Sequence, residues 1–281
     1  MENKIKLICI DMDGTLLNNN HEISKENKEA LKKARDLGVN IAITTGRLFN
    51  SARYYSDLIG INTAVIASNG AYINTNYNKK PLLEVPLSKD MFIKIYKIVS
   101  KYGLFPNFNS HNTVLRENPI EDTHAYYIMN KGLSGDKKIK FIVDADTFEK
   151  TLLEFKDNIY KCIVIEDGEN KDNLWAAKKE LKEIFGNKLH IVSSGNNNFE
   201  VMLGTVSKGN AVEFLAKELS ISPSEVMCIG DSENDLSMIE FAGVGVAMAN
   251  ALDSVKATAD YITDTNNNSG VAKAIEHFVL T

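Results

Sequence analysis

Short apolar runs alternate with helix-period stretches at both ends of the chain. Leu7-Ile8-Cys9-Ile10 is continuous and of strand length, so residues 5 to 10 read as a buried strand. A helix follows, opened by Ser24 as N-cap, with Ala30, Leu31, Ala34 and Leu37 on one face and Gly38 as its stop. Asn40 to Thr44 gives a second strand, Thr45-Gly46-Arg47 a turn into a second helix, and Ala64 to Ala67 a third strand ending at Ser68-Asn69-Gly70-Ala71. From about residue 204 the alternation returns. A helix from Lys208 to Leu219 precedes a strand Val226 to Ile229 and the turn Gly230-Asp231-Ser232-Glu233-Asn234-Asp235. Strands Val244 to Ala247 and Tyr261-Ile262 and a helix near Val271 to Val279 close the chain. Such alternation predicts an α/β fold with a parallel sheet and right-handed crossovers.

The middle block has a different texture. Helices over 88–101 and 171–185 are interspersed with strands Lys140 to Val143 and Tyr160 to Glu166. His190 to Ser193 and Phe199 to Leu203, joined by Ser194-Gly195-Asn196-Asn197-Asn198, read as a hairpin. Residues 85–203 are therefore expected to form an insert between two halves of one sheet, 1–84 and 204–281. The asparagine triplets at 18–20, 196–198 and 266–268 read as loops.

Composition narrows the class. The 281 residues carry 44% apolar side chains, a formal net charge of -5 and a pI near 5.6. That balance argues against a nucleic-acid surface, where a basic stripe is expected. The apolar run after Lys4 and Lys6 is shorter than a signal segment of about 7 to 15 residues. No segment is long enough to span a bilayer. Cys9, Cys162 and Cys228 lie among Ile, Leu, Val or Met and read as buried hydrophobes. A reducing, cytoplasmic setting is the expectation. His21, His111, His124, His190 and His277 lack ligand spacing and read as surface or packing residues. Lys79-Lys80 and Lys137-Lys138-Ile139-Lys140 read as solvated faces. Trp175 and the tyrosines of the insert are expected mainly in its core.

Three strand ends carry polar constellations: Asp11 and Asp13, Thr45, and Asp231 with Asn234 and Asp235. In a parallel sheet those ends share one edge, where ligands of open α/β sheets bind. Three or four carboxylates gathered there cannot all stay ionised without a cation. Hard oxygen ligands with no His or Cys nearby point to Mg²⁺. Lys208 and Thr45 would add a positive charge and a hydroxyl donor, equipment for holding a phosphoryl group.

Taken together, Asp11 to Leu17 (DxDGTLL), Thr45-Gly46-Arg47, Lys208-Gly209 and Gly230 to Asp235 (GDSxND) resemble the four ordered motifs of haloacid dehalogenase superfamily phosphatases. The resemblance is to the Cof-type branch (class IIB, C2-capped), and it covers essentially the whole chain. Ser68-Asn69-Gly70-Ala71, Val246 to Ala251 and Ser269-Gly270-Val271 fit as secondary signatures. It implies a Rossmann-like parallel-sheet core, with residues 85–203 as an inserted α/β cap that selects substrate.

The implied mechanism has Asp11 attack phosphorus in line to form an aspartyl-phosphate. Asp13 would protonate the leaving oxygen and then activate water, which requires its carboxyl to be raised by burial or negative neighbours. Mg²⁺ would be held by Asp11, the backbone carbonyl of Asp13 and Asp231. Thr45, Gly46, Lys208 and Asn234 would bind phosphate, with Asp235, Arg47 and Asn69 in support. Connections near residues 84 and 204 would act as hinges for an insert that excludes bulk solvent.

The implied substrate is a small phosphorylated metabolite such as a sugar phosphate or cofactor phosphate. No nucleic acid or membrane partner is expected, and the chain is expected to be a monomer or weak homodimer. A phosphomutase or a noncatalytic phosphate-sensing module on the same fold is the alternative. A signalling receiver also combines Asp, Thr and Lys on a parallel sheet, but Asp13, the second acidic turn and the length argue against it.

Overall fold

A computed structural model describes residues 4–61, 63–75, 80–119, 121, 124–168 and 171–281. Lys79 lies outside them. Two compact units divide the chain: Met1–Arg47, Ala52–Leu82 and Ser207–Thr281 form the first, Leu48–Ser51 and Leu83–Val206 the second.

The chain enters through β1 (Leu7–Asp11), α1 (Lys25–Asp36), β2 (Asn40–Thr44), α2 (Phe49–Ile59), β3 (Ala64–Ala67) and β4 (Tyr72–Thr75). Next come β5 (Leu83–Glu84), α3 (Lys89–Lys101), β6 (Asn107–Asn109), β7 (Thr113–Arg116), α4 (Ala125–Asn130), β8 (Lys140–Val143) and α5 (Phe148–Glu154). They are followed by β9 (Lys161–Ile165), α6 (Lys171–Phe185), β10 (Leu189–Val192) and β11 (Asn198–Leu203). The chain then returns through α7 (Lys208–Glu218), β12 (Val226–Gly230), α8 (Leu236–Phe241), β13 (Val244–Ala247), α9 (Asp253–Thr258), β14 (Tyr261–Ile262) and α10 (Gly270–Phe278).

In the first unit the strands run in the order β14-β13-β12-β1-β2-β3-β4. All of these neighbours are parallel except β3 and β4. The α/β reading is thus correct, with one antiparallel strand the sequence did not announce. Its cause is local. Ser68, Asn69 and Gly70 have φ of 50°, 56° and 104°, and this left-handed stretch turns the chain straight back along β3.

Every residue of β1 is buried, as expected for a strand covered on both faces. Its register decides the rest. Asp11 lies opposite Thr44 on β2, and Ile10 opposite Ile229 on β12. The carboxyl ends of β1, β2 and β12 therefore fall level. β1 also sits where the strand order reverses, the position at which open α/β sheets open a crevice for ligands.

One polar side chain inside this unit ties three segments together. Asn27 is wholly buried on α1, and its Nδ2 donates to the Leu16 carbonyl at 3.3 Å while its Oδ1 accepts from the Ala272 amide at 2.9 Å. It thus joins α1 to the loop after β1 and to the first turn of α10.

The second unit has its own sheet, in the order β10-β11-β9-β6-β7-β8. One face buries Phe108, Cys162, Val164 and Phe199 against Ile95 of α3 and Leu181 of α6. The expected hairpin is the antiparallel pair β10 and β11. Trp175 departs from expectation. The helical period of α6 turns Leu174, Ala177 and Leu181 inward, leaving Trp175 38% exposed with the Lys178 ammonium 5.3 Å from its ring centre. On β9 and β11, Lys161 and Glu200 form a buried ion pair at 3.1 Å that sequence pattern did not indicate. All three cysteines are free and buried, as read from their neighbours.

Asn27→Ala leaves two buried backbone groups without partners and is expected to lower the unfolding free energy by about 2 to 4 kcal/mol. Urea denaturation checks this, and a change within about 0.5 kcal/mol, the ordinary surface range, would contradict the assigned role.

Candidate active site

The segment after β1 makes the tightest turn of the site. Gly14 has φ of +81°, and a Cβ built on it would lie 2.7 Å from Oδ2 of Asp231, so both space and backbone angle require glycine. The next residue, Thr15, is fully buried, and its hydroxyl donates to Oδ1 of Asp231 at 2.6 Å. Asn250 donates to the Gly14 carbonyl at 2.8 Å. Neither Thr15 nor Asn250 was singled out from the sequence. Thr15 lies within the Asp-rich motif and Asn250 within the Val246 to Ala251 signature, but neither stretch indicated by itself which side chain would reach the turn after β1.

Asp11 ends β1 almost without exposure. Lys208, the first residue of α7, is equally buried, and its Nζ donates to Oδ1 of Asp11 and Oδ1 of Asp235, each at 2.5 Å. Ser207 fixes the start of α7 by accepting from the Asn210 amide at 3.0 Å. Asp235 is anchored on its other side, where Oδ2 accepts from the amides of Asp231 and Ser232 at 2.9 and 3.0 Å. The arrangement is a short chain of charge, Asp11 to Lys208 to Asp235, closed onto the backbone after β12.

Asp11, Asp231 and Asp235 each place a carboxylate oxygen within 4.8 Å of the others. Burial, then the negative Asp235, pushes the Asp11 carboxyl well above its ordinary range, with Lys208 opposing. Burial and Asp235 likewise raise Asp231, against the hydrogen bonds from Thr15 and Ser232. For Lys208, burial works against the ammonium, but Asp11 and Asp235 outweigh it and hold its pKa above the ordinary lysine value.

Three carboxylates against one ammonium leave two formal negative charges, and the donor set is entirely hard oxygen. A small divalent cation fits that set. Oδ1 of Asp235 is held by Lys208 and its Oδ2 by two backbone amides, so Asp235 anchors Lys208 and the turn, while Asp11, whose Oδ2 lies outside the Lys208 contact, and Asp231, met only by the hydroxyls of Thr15 and Ser232, are the candidate holders of such a cation.

The side chain of Asp13 stands apart from this cluster. It is exposed, and Arg47 grips it bidentately, Nε to Oδ2 at 2.9 Å and Nη2 to Oδ1 at 2.5 Å. The burial or negative neighbour expected for Asp13 is not what the structure shows. Its neighbour is a guanidinium, which also lies 5.4 Å from the ring centre of Tyr55.

Thr45 is buried beside the end of β2, held by its amide to the Ile66 carbonyl at 2.9 Å. Its Oγ1 accepts from the Arg47 amide at 3.1 Å, which leaves the hydroxyl proton to be donated elsewhere. Gly46 lies between them, partly buried. Asn234 gives an amide proton to Oδ1 of Asn69 at 3.0 Å.

A sequence profile of haloacid dehalogenase-like hydrolases matches residues 8–275. The Bacillus subtilis (strain 168) protein 5-amino-6-(5-phospho-D-ribitylamino)uracil phosphatase YcsE is 36% identical over 98% of this chain and 96% of its own. Phosphatase YwpJ of the same organism is 31% identical over 98% and 100%. A solved haloacid dehalogenase-like hydrolase from B. subtilis superposes with a TM-score of 0.85 at 29% identity, covering 98% of this chain and 100% of that one.

Lys208→Met removes the one cation from a buried cluster and is expected to destabilise the fold by about 3 to 5 kcal/mol near neutrality. The deficit should shrink on acidification. Asp11 already has a raised pKa and would lose its lowering neighbour, so the folded variant takes up a proton at a higher pH than the unfolded chain and gains stability as pH falls. Urea unfolding at pH 5 and pH 8 checks this. An equal or larger deficit at pH 5 would contradict the electrostatic account.

Proposed function

The chain belongs to the haloacid dehalogenase-like hydrolases and is a phosphatase of the Cof type. On that premise we propose that it hydrolyses small phosphorylated metabolites through an aspartyl-phosphate on Asp11, with Mg²⁺ as the cation. The observation that carries this reading is the Lys208 bridge. Lys208 occupies only Oδ1 of Asp11 and fixes the carboxylate by its link to Asp235, so Oδ2 is the oxygen for attack.

Oδ2 of Asp11 forms a bond to phosphorus as the bond to the leaving oxygen breaks on the opposite side. Asp13 supplies the proton that the leaving oxygen needs, and to do so it must turn away from Arg47. In the second half Asp13 takes a proton from water as that water attacks phosphorus, releasing inorganic phosphate and restoring the Asp11 carboxylate. The Thr45 hydroxyl, the Gly46 amide and the Lys208 ammonium bind the phosphoryl oxygens, where charge grows in the transition state. Asp11 and Asp231 with the Asp13 carbonyl would hold the Mg²⁺, which when bound would offset the excess negative charge and shield the nucleophile from the phosphate dianion.

Residues 85–203 are proposed as the substrate-selecting insert. Two relatives, at 36% and 32% identity, carry the name of a phosphatase for 5-amino-6-(5-phospho-D-ribitylamino)uracil. That supports a phosphorylated polyol, alone or joined to a heterocycle, as the substrate class here. Among the described residues no helix is long and apolar enough to cross a membrane, and a cytoplasmic site of action is part of this proposal.

Phosphate release from p-nitrophenyl phosphate and from a panel including that ribityl phosphate is expected to require Mg²⁺, to stop on chelation and to return when Mg²⁺ is restored. Asp11→Asn should lower turnover by about 10⁴-fold or more, and Asp13→Asn by about 10² to 10⁴-fold. Turnover by Asp11→Asn within tenfold of the parent would overturn the nucleophile assignment.

A further inference from the structure

Two of the asparagine triplets meet. The one at 18–20 follows the turn that carries Asp13, and the one at 266–268 forms a short 3₁₀ turn ahead of α10. Asn19 donates its amide to Oδ1 of Asn267, 248 residues away, at 3.0 Å, and Nδ2 of Asn266 donates to Oδ1 of Asn19 at 3.2 Å. Asn266 is buried, and the same Nδ2 donates to the Leu17 carbonyl at 2.9 Å. Its backbone amide donates to Oδ1 of Asn250 at 2.9 Å, while Nδ2 of Asn250 donates to the Gly14 carbonyl at 2.8 Å. Backbone groups fix both side-chain amides. A reversed Asn250 would set a donor against the Asn266 amide and an acceptor against the Gly14 carbonyl, and a reversed Asn266 would set an acceptor against the Leu17 carbonyl.

The turn after β1 is thereby held from two sides. Inside, the amides of Leu16 and Leu17 donate to the carbonyls of Asp11 and Met12 at 3.2 and 2.9 Å. Outside, Asn250 and Asn266 take the carbonyls of Gly14 and Leu17, the two ends of the segment that follows Asp13. The loop of Asn250 also gives the Leu252 amide to the Asp231 carbonyl at 3.0 Å, so one loop supports both acidic turns. The Asp13 side chain is exposed and held by Arg47, which it must leave to deliver a proton. A carboxyl that has to swing depends on its backbone for aim, and a small misplacement is costly. We propose that Asn266 and Asn250 are positioning residues for the acid step. They fix the backbone after Asp13, so that the released carboxyl meets the leaving oxygen and gives it a proton as the bond from that oxygen to phosphorus breaks. The proposal rests on the phosphatase reading for the proton's destination, and on geometry alone for the clamp.

Leaving groups separate positioning from plain stability. The p-nitrophenolate group departs with little help from an acid, whereas the sugar oxygen of ribose 5-phosphate needs a proton. Asn250 is exposed, so Asn250→Ala is expected to keep the parent's urea midpoint. Its kcat/KM for ribose 5-phosphate should fall about tenfold, with a far smaller change for p-nitrophenyl phosphate. Asn266→Ala should show the same split together with a lower urea midpoint, because it leaves the buried Leu17 carbonyl without its donor. In the Asp13→Asn background neither substitution should lower kcat/KM for ribose 5-phosphate further. Amide hydrogen exchange at Leu16 and Leu17, followed without substrate, should quicken in both variants. Equal losses on the two substrates, or additive losses in the Asp13→Asn background, would overturn the positioning role, and parent-like exchange in both variants would overturn the clamp. Absence of turnover in the parent would instead remove the phosphatase reading, leaving the exchange rates to judge the clamp.

Discussion

The Lys208 ammonium lies buried against carboxylates 197 and 27 residues away in the chain, and the rest of the site follows from that contact. Two carboxylates sharing so dry a position would repel and take up protons. With the ammonium between them, Asp11 is oriented and Asp235 is held against the backbone after β12. Lys208 also joins the start of α7 to the ends of β1 and β12. One ion therefore links packing to chemistry. A buried ion pair contributes little net stability over an apolar substitute, so its retention here is better understood as positioning than as a source of stability.

The sheet makes this contact available. β1 sits between β2 and β12 in parallel register, so Asp11, the turn after Thr44 and the turn after Gly230 emerge at one level. Gly14 and Gly70 then permit approaches that no other residue allows, one toward Asp231 and one toward Ser207. The charge left over, two negative units in an oxygen-lined cluster, is the physical basis for a divalent cation.

Much of the first unit was legible in the sequence because its strands are continuous apolar runs punctuated by caps and glycines. Ser24 was readable as an N-cap, and its side chain accepts from Asn27 at 3.1 Å. Less was legible in the second unit. β6 and β7 are short and mix Asn, Thr and Arg with apolar residues, so pairing across the sheet, rather than local pattern, defines them. The apolar character of Trp175 suggested a core position, but helical phase decides which side of α6 faces the sheet.

In the site, the acidic turns and Lys208 could be read from motif and strand position. Pairings across long separations could not, among them Arg47 with Asp13, Asn234 with Asn69, and both bonds of Asn27. Each depends on which face of an element a polar side chain presents, and only the assembled sheet determines that.

In the proposed function Asp11 is the covalent acceptor of the phosphoryl group. Acid quenching of a single turnover within milliseconds, followed by mass analysis of the peptide containing Asp11, tests it most directly. A transient adduct of one phosphoryl group on that peptide, labile to hydroxylamine and absent in Asp11→Asn, is the expected result. Turnover with no adduct at any time, or an adduct on another residue, would contradict it.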